Sequence, residues 1–100
     1  MLRIVRNQLD AHHVVLGLQG QIVREWAELL ERECVELGRA GVRIALDLSE
    51  AVLIDRAGFE VLSRLSRAGV GIIACPPLIA EALREQGIAA RPTFGKAVAT

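Results

Sequence analysis

Ile44 to Leu65 reads IALDLSEAVLIDRAGFEVLSRL, and within it the apolar period changes from that of a strand to that of a helix. Val42 to Leu48 (VRIALDL) is mostly apolar and fits a buried strand. Asp55 then precedes a run in which Gly58, Val61, Leu62 and Leu65 fall on one helical stripe and face inward. The Asp55 carboxylate is suited to the N-cap, where it can accept backbone N–H bonds from the first turn. Gly69 is placed to end this helix.

Toward the C-terminus, Val70 to Ala74 (VGIIA) is apolar on both faces and predicts a central parallel strand. Pro76 and Pro77 stop it, and a proline also suits the first turn of a following helix. Leu78, Ile79, Ala82, Leu83 and Gln86 form that helix, with Gly87 as its stop. Toward the N-terminus, Ile22 to Leu37 has helical spacing, with Val23, Trp26, Leu30, Cys34 and Leu37 on one stripe and Gly38 as the left-handed residue that closes it. Before it, Leu2–Val5 and Val14–Leu18 read as strands joined by a polar turn over Asn7–His12, an antiparallel hairpin. The order is β-β-α-β-α-β-α. Alternation of strands and helices implies right-handed crossovers and a parallel sheet. The expected fold is therefore α/β: a mostly parallel four-stranded sheet, an antiparallel N-terminal edge strand, and helices mainly on one face. Residues 1–88 form the domain, and 89–100 a C-terminal tail or short helix.

Composition narrows the functional classes. The chain has 100 residues, 52% hydrophobic and 3% aromatic, with 12 basic residues balancing 12 acidic ones. That length fits one domain with a self-sufficient core. Zero net charge argues against a nucleic-acid partner. No apolar run approaches the ~20 residues that span a bilayer, and MLRIVRNQLD has no signal-peptide character. Cys34 and Cys75 are far apart in sequence and suggest no disulfide framework, so the expected compartment is the cytoplasm.

Catalytic chemistry is hard to find. His12 and His13 are adjacent and read as turn residues; with only two cysteines in reserve, no metal site is expected. Gly69, Gly71 and Ala74 match G-x-G-x-x-A, but the run leads into a strand, whereas a dinucleotide fingerprint opens a helix. Cys34 reads as core packing. Cys75, at a strand end, is expected to be partly exposed but has no neighbouring base or cation to activate it. Trp26 reads as a core anchor. No enzyme activity and no cofactor are expected.

The run from Ile44 to Gly87 resembles the STAS domain, the module shared by sulphate transporters and bacterial anti-sigma factor antagonists. Asp47, Leu48, Ser49, Ile54, Asp55, Gly58, Leu62 and Leu65 match the family pattern L-D-L-S…I-D-S-S/A-G-L…L. VGIIACPPLIAEALREQGI is similar to the family's next strand, proline turn and helix, and the hairpin with VLGLQGQIV fits the usual lead into the first helix. The match covers about nine-tenths of the chain and implies an STAS-like sandwich. In phosphorylated antagonists the residue before the motif glycine is a serine that a partner kinase phosphorylates; here it is Ala57, and Arg56 replaces the first small residue. Alanine cannot accept a phosphoryl group, so the resemblance implies an antagonist without that switch at its usual place. Ser49, Ser63 and Ser66 are other hydroxyls, none at the equivalent position.

The resemblance implies a non-catalytic interaction module binding an anti-sigma factor or GHKL-type kinase. The partner surface would comprise Ser49, Asp55, Arg56, Ala57, Gly58, Phe59, Glu60 and Ser63, that is, the 49–54 loop and the helix start. By helical count Arg56, Phe59, Glu60 and Ser63 face away from the Val61–Leu62–Leu65 stripe. Phe59 could anchor a partner or a homodimer, or pack under the third helix or the 49–54 loop; Asp55 could both cap the helix and touch a partner. Two other readings stay open: an STAS subunit of an ABC-type lipid transport system docked on its ATPase, and a sensor of a nucleotide or lipid.

Overall fold

The computed structural model describes residues 1–90. Its elements are β1 (Leu2–Asp10), β2 (His13–Ile22), α1 (Arg24–Arg39), β3 (Arg43–Ile54), α2 (Arg56–Arg67), β4 (Gly71–Ile73) and α3 (Pro77–Glu85). They form one four-stranded sheet in the order β1-β2-β3-β4. β1 is antiparallel to β2, and β2, β3 and β4 run parallel. The mostly parallel sheet with an antiparallel N-terminal edge strand is thus as expected.

One sheet face is closed by the helices. Val14, Leu16 and Leu18 of β2, Ile44, Leu46 and Leu48 of β3, and Ile72 of β4 alternate inward. They join Ala27, Leu30 and Cys34 of α1, Val61, Leu62 and Leu65 of α2, and Ala80 and Leu83 of α3 in one cluster. Leu16, Leu46 and Ile72 lie in register across the sheet. Trp26 packs against this cluster from its margin. On the opposite face Val15, Gly17, Ala45 and Asp47 are only half-buried. Ion pairs tie the helix layer to itself and to the sheet edge. Arg64 grips Glu31 of α1 through two bonds of 2.7 and 2.9 Å, and Arg6 of β1 reaches Glu33 at 2.6 Å. The Arg64 guanidinium holds the Glu31 carboxyl below its ordinary value.

Four local readings are corrected. The hairpin is longer than its polar composition suggested: Asn7 and Gln8 are paired with Val15 and Val14, and only Ala11–His12 turn. An edge strand tolerates polar residues because its side chains meet water. The turn itself is tightened by Asp10, whose Oδ1 accepts the His12 N–H at 2.7 Å and lies 2.9 Å from His13 Nδ1. Secondly, α1 runs past Gly38 to Arg39, and the left-handed residue is Gly41 (φ 79°). There the Val42 N–H bonds Leu37 O at 3.1 Å and the Gly41 N–H bonds Gly38 O at 3.0 Å. This pair of bonds carries the chain back toward the core with Val42. Gly69–Val70 and Gly87–Ile88 close α2 and α3 with the same bonds, as expected for those glycines.

Thirdly, Ser49–Ile54 is strand, not loop. β3 continues beside β2 to the pair Ile22↔Ile54 and takes up extra residues at two register shifts. Finally, β4 is short and lies at the edge of the described sheet, not at its centre. Ala74 adopts a left-handed φ of 53° and turns the chain out of the ladder after Ile73. The 89–100 tail falls, from residue 91 on, outside the described residues.

Candidate functional site

The parallel strands β2, β3 and β4 all end on one side of the sheet, and α2 begins there. Asp55 caps α2: its Oδ1 accepts the Gly58 N–H at 2.8 Å, an interaction worth about 1 kcal/mol at a helix start. Its own N–H reaches Ile22 O at 3.4 Å, fastening α2 to the end of β2. Gly58 is buried in the first turn of α2. A Cβ there would overlap the Ile22 carbonyl oxygen and lie 2.8 Å from Ile54 Cγ2. Gly58 therefore shapes this corner from inside rather than facing solvent.

The remaining residues expected at the site divide between two surfaces. Arg56, Phe59, Glu60 and Ser63 line one open groove of about 1000 Å³, which reaches Gln86 at the end of α3. Arg56 lies 3.6 Å from Glu60, and Arg67 donates to Ser63 Oγ at 2.9 Å. Phe59 is half-buried: it packs against the core cluster and still lines the groove. Ser49 is exposed on the other side of β3, in a shallow depression of about 210 Å³ shared with Asn7, Gln19, Asp47 and Glu50. Its N–H is held by Asp47 Oδ1 at 2.9 Å. Ala57 is half-buried in the first turn of α2.

Reading the sequence missed the apolar part of this end. Val52 is 72% exposed and Leu53 51% exposed, immediately before Asp55. Leu78, in the first turn of α3 at the same end of the sheet, is 86% exposed. An unbroken AVLI run suggests burial on both faces, whereas the bulged end of β3 leaves its middle two residues in water. The signal was present only as apolar residues next to a capping aspartate. Backbone strain collects here too: Arg24 (φ 45°), just after β2, and Ala74, just after β4, are the non-glycine residues with positive φ among the described residues.

Cys75, expected to be partly exposed, is fully buried at the end of β4. Burial pushes its thiol up to about 11, and burial together with the nearby Glu33 and Glu31 carboxylates pushes Cys34 up to about 12. Thiolate is the reactive form, so neither cysteine is expected to react with a thiol-disulfide reagent in the folded protein at pH 8. Both should react at once in denaturant; fast native-state labelling of either would contradict the burial. Among the described residues, no three His, Cys, Asp or Glu side chains converge as metal ligands.

The fold has close counterparts among solved structures. The anti-sigma factor antagonist SpoIIAA in its unphosphorylated form superposes with a TM-score of 0.75 at 15% identity, over 96% of this chain and 93% of its own. An anti-sigma factor antagonist from Mycobacterium paratuberculosis superposes with a TM-score of 0.77 at 17% identity, over 99% of this chain and 92% of its own. The fold is STAS-like. At these identities the similarity speaks for architecture alone. No family model matches the sequence, and no curated protein matches it.

Proposed function

We propose that this chain is a non-catalytic interaction module of the anti-sigma factor antagonist kind. It docks an anti-sigma factor or regulatory kinase through the start of α2, in the cytoplasm and without a phosphoryl switch at Ala57. The observation that carries the reading is the exposed pair Val52–Leu53 set directly before the capped start of α2, with Arg56 exposed beside it. Clustered exposed apolar residues beside charged ones are what a protein interface needs. The likeness to two antagonists over nearly the whole chain supports the same reading. Among the described residues, no helix is long and apolar enough to cross a membrane.

Roles follow from position. Val52 and Leu53 supply apolar contact, while Arg56, Glu60 and Ser63 supply polar contact. Asp55 and Gly58 hold the surface in shape, and Ser49, on the other side of β3, lies outside it. Ala57 occupies the helix turn where a phosphate would add charge close to −2; with a methyl group there, binding is governed by the concentrations of the partners.

The test is capture on the immobilised chain from its native cell, with identification of retained proteins, followed by titration of the purified partner. An anti-sigma factor or kinase should be retained. Leu53→Asp and Ala57→Asp should each weaken it by roughly 30-fold, the size of one interface hot spot. With ATP and a captured kinase, the wild-type chain should take up no phosphate and Ala57→Ser should take it up. Phosphate on Ser49 or Ser63 of the wild type would overturn the reading, and an ABC ATPase as the retained protein would replace it with the transport one.

A further inference from the structure

The groove beside α2 carries a charge pattern that specifies its occupant more closely than an exposed apolar pair can. Arg56, Glu60, Ser63 and Arg67 stand at i, i+4, i+7 and i+11 of α2, so they form one stripe along three turns of helix. Its two ends lie roughly 16 Å apart at 1.5 Å per residue. Read along the stripe, the groups are guanidinium, carboxylate, hydroxyl, guanidinium. Phe59 lies beside them as the apolar floor.

The guanidiniums of this groove differ in what already engages them. Arg64, which also lines it, is held by Glu31 in a two-bond pair and has little left to offer. Arg56 is 93% exposed and only loosely opposed by Glu60, at 3.6 Å. Arg67 has no carboxylate partner among the described residues, and its single side-chain bond goes to the neutral Ser63 hydroxyl. Positive charge is therefore available at both ends of the stripe, with a carboxylate between them. A nucleic acid would bring a continuous row of phosphates against Glu60, so the pattern fits a segment whose acidic groups are spaced.

We infer that the groove receives an amphipathic helix of a partner protein, laid along α2. That helix presents acidic residues about three turns apart to Arg56 and Arg67, and between them an apolar residue to Phe59. Helix-in-groove recognition has this form: apolar anchors supply contact, and flanking charges set register and partner choice. The inference rests on the docking reading above and adds the chemistry of the partner's binding element.

The experiment uses the full chain and a synthetic amphipathic peptide helix of about 19 residues, long enough to cover the ~16 Å stripe with about a turn to spare at each end. The peptide has glutamates at i and i+11 around a central leucine; a second peptide has lysines in place of the glutamates. The glutamate peptide should bind in a calorimetric titration, weaken as salt rises, and shift the amide signals of Arg56, Phe59, Ser63 and Arg67. Arg67→Glu should reduce its affinity by about tenfold or more, the scale of one close charge pair, and should improve binding of the lysine peptide. Equal affinity for both peptides, no binding of the glutamate peptide, or failure of the charge swap would each overturn the inference. So would single-stranded DNA shifting the same signals more strongly, or sedimentation showing a self-associating chain that Arg67→Glu makes monomeric. Capture of the anti-sigma partner with undiminished affinity by Arg67→Glu, but not by Leu53→Asp, would sink this inference alone and leave the docking reading standing. No capture by the wild type would sink the docking reading instead.

Discussion

Replacing Gly58 by alanine is expected to destabilise the fold by about 3 kcal/mol, the upper range for forcing added atoms into a packed position. For a domain of this size that is a fall in melting temperature on the order of 15 °C. The methyl group would overlap the Ile22 carbonyl oxygen and come within 2.8 Å of Ile54 Cγ2. Neither neighbour can easily move. Ile22 and Ile54 are paired at the end of the β2–β3 ladder, and the same Ile22 oxygen receives the Asp55 N–H. Alanine's better helix propensity offsets only about 1 kcal/mol. Thermal and urea unfolding of Gly58→Ala beside the wild type check this. A melting point within a few degrees of the wild type would mean that α2 does not approach β2 as closely as described. Because Gly58 seats the start of α2, where the proposed docking surface lies, the variant should also bind a partner more weakly than its folded fraction alone accounts for.

Leu46→Ala should cost a comparable amount, about 3–4 kcal/mol, as for other fully buried leucines cut back to alanine. Leu46 has no exposed surface and sits on the inward face of β3 between Leu16 and Ile72. Truncation opens a cavity in the layer that every helix packs against. Against a total stability of roughly 5–15 kcal/mol, a loss of this size leaves a folded but marginal protein. The urea midpoint should fall with the slope unchanged, which marks a change of stability rather than of the unfolded state. Leu78→Ala is the matched control: at 86% exposure it should stay within about 0.5 kcal/mol of the wild type. If Leu78→Ala proved the more damaging, the assignment of core and surface at this end of the sheet would be wrong.

Much of this arrangement was legible from local pattern. Asp55 reads as a cap because an aspartate before a helical stripe has one obvious use, and its carboxylate accepts the Gly58 N–H as expected. The stripes of α1 and α2 identify Leu30, Cys34, Val61, Leu62 and Leu65 as core, and all are buried. Gly69 and Gly87 mark helix ends correctly because each is followed by an apolar residue that folds back on the core. The same pairing, Gly41–Val42, ends α1, whereas Gly38 is followed by an arginine that has no core to fold back on. The candidate site was harder to see. Arg67 carries no signal in its own sequence neighbourhood, because only the fold places it three turns along α2 from Arg56 in one groove. Ser49 was grouped with Arg56 by sequence proximity, although a strand carries it to the opposite side of β3.

By itself the amino-acid sequence determined the order of strands and helices, the inward stripe of each helix, the cap of α2 and the absence of a hydroxyl at position 57. These depend on neighbours a few residues apart, and a period or a side-chain type is enough to reveal them. Only the tertiary structure decided that β3 runs on to Ile54, that β4 lies at the edge of the described sheet, that Cys75 is buried, and that Val52 and Leu53 face water. Each of these turns on pairing or packing between residues distant in the chain, where the register of β2 against β3 and the seat of α2 on β2 settle which side of an apolar run is covered.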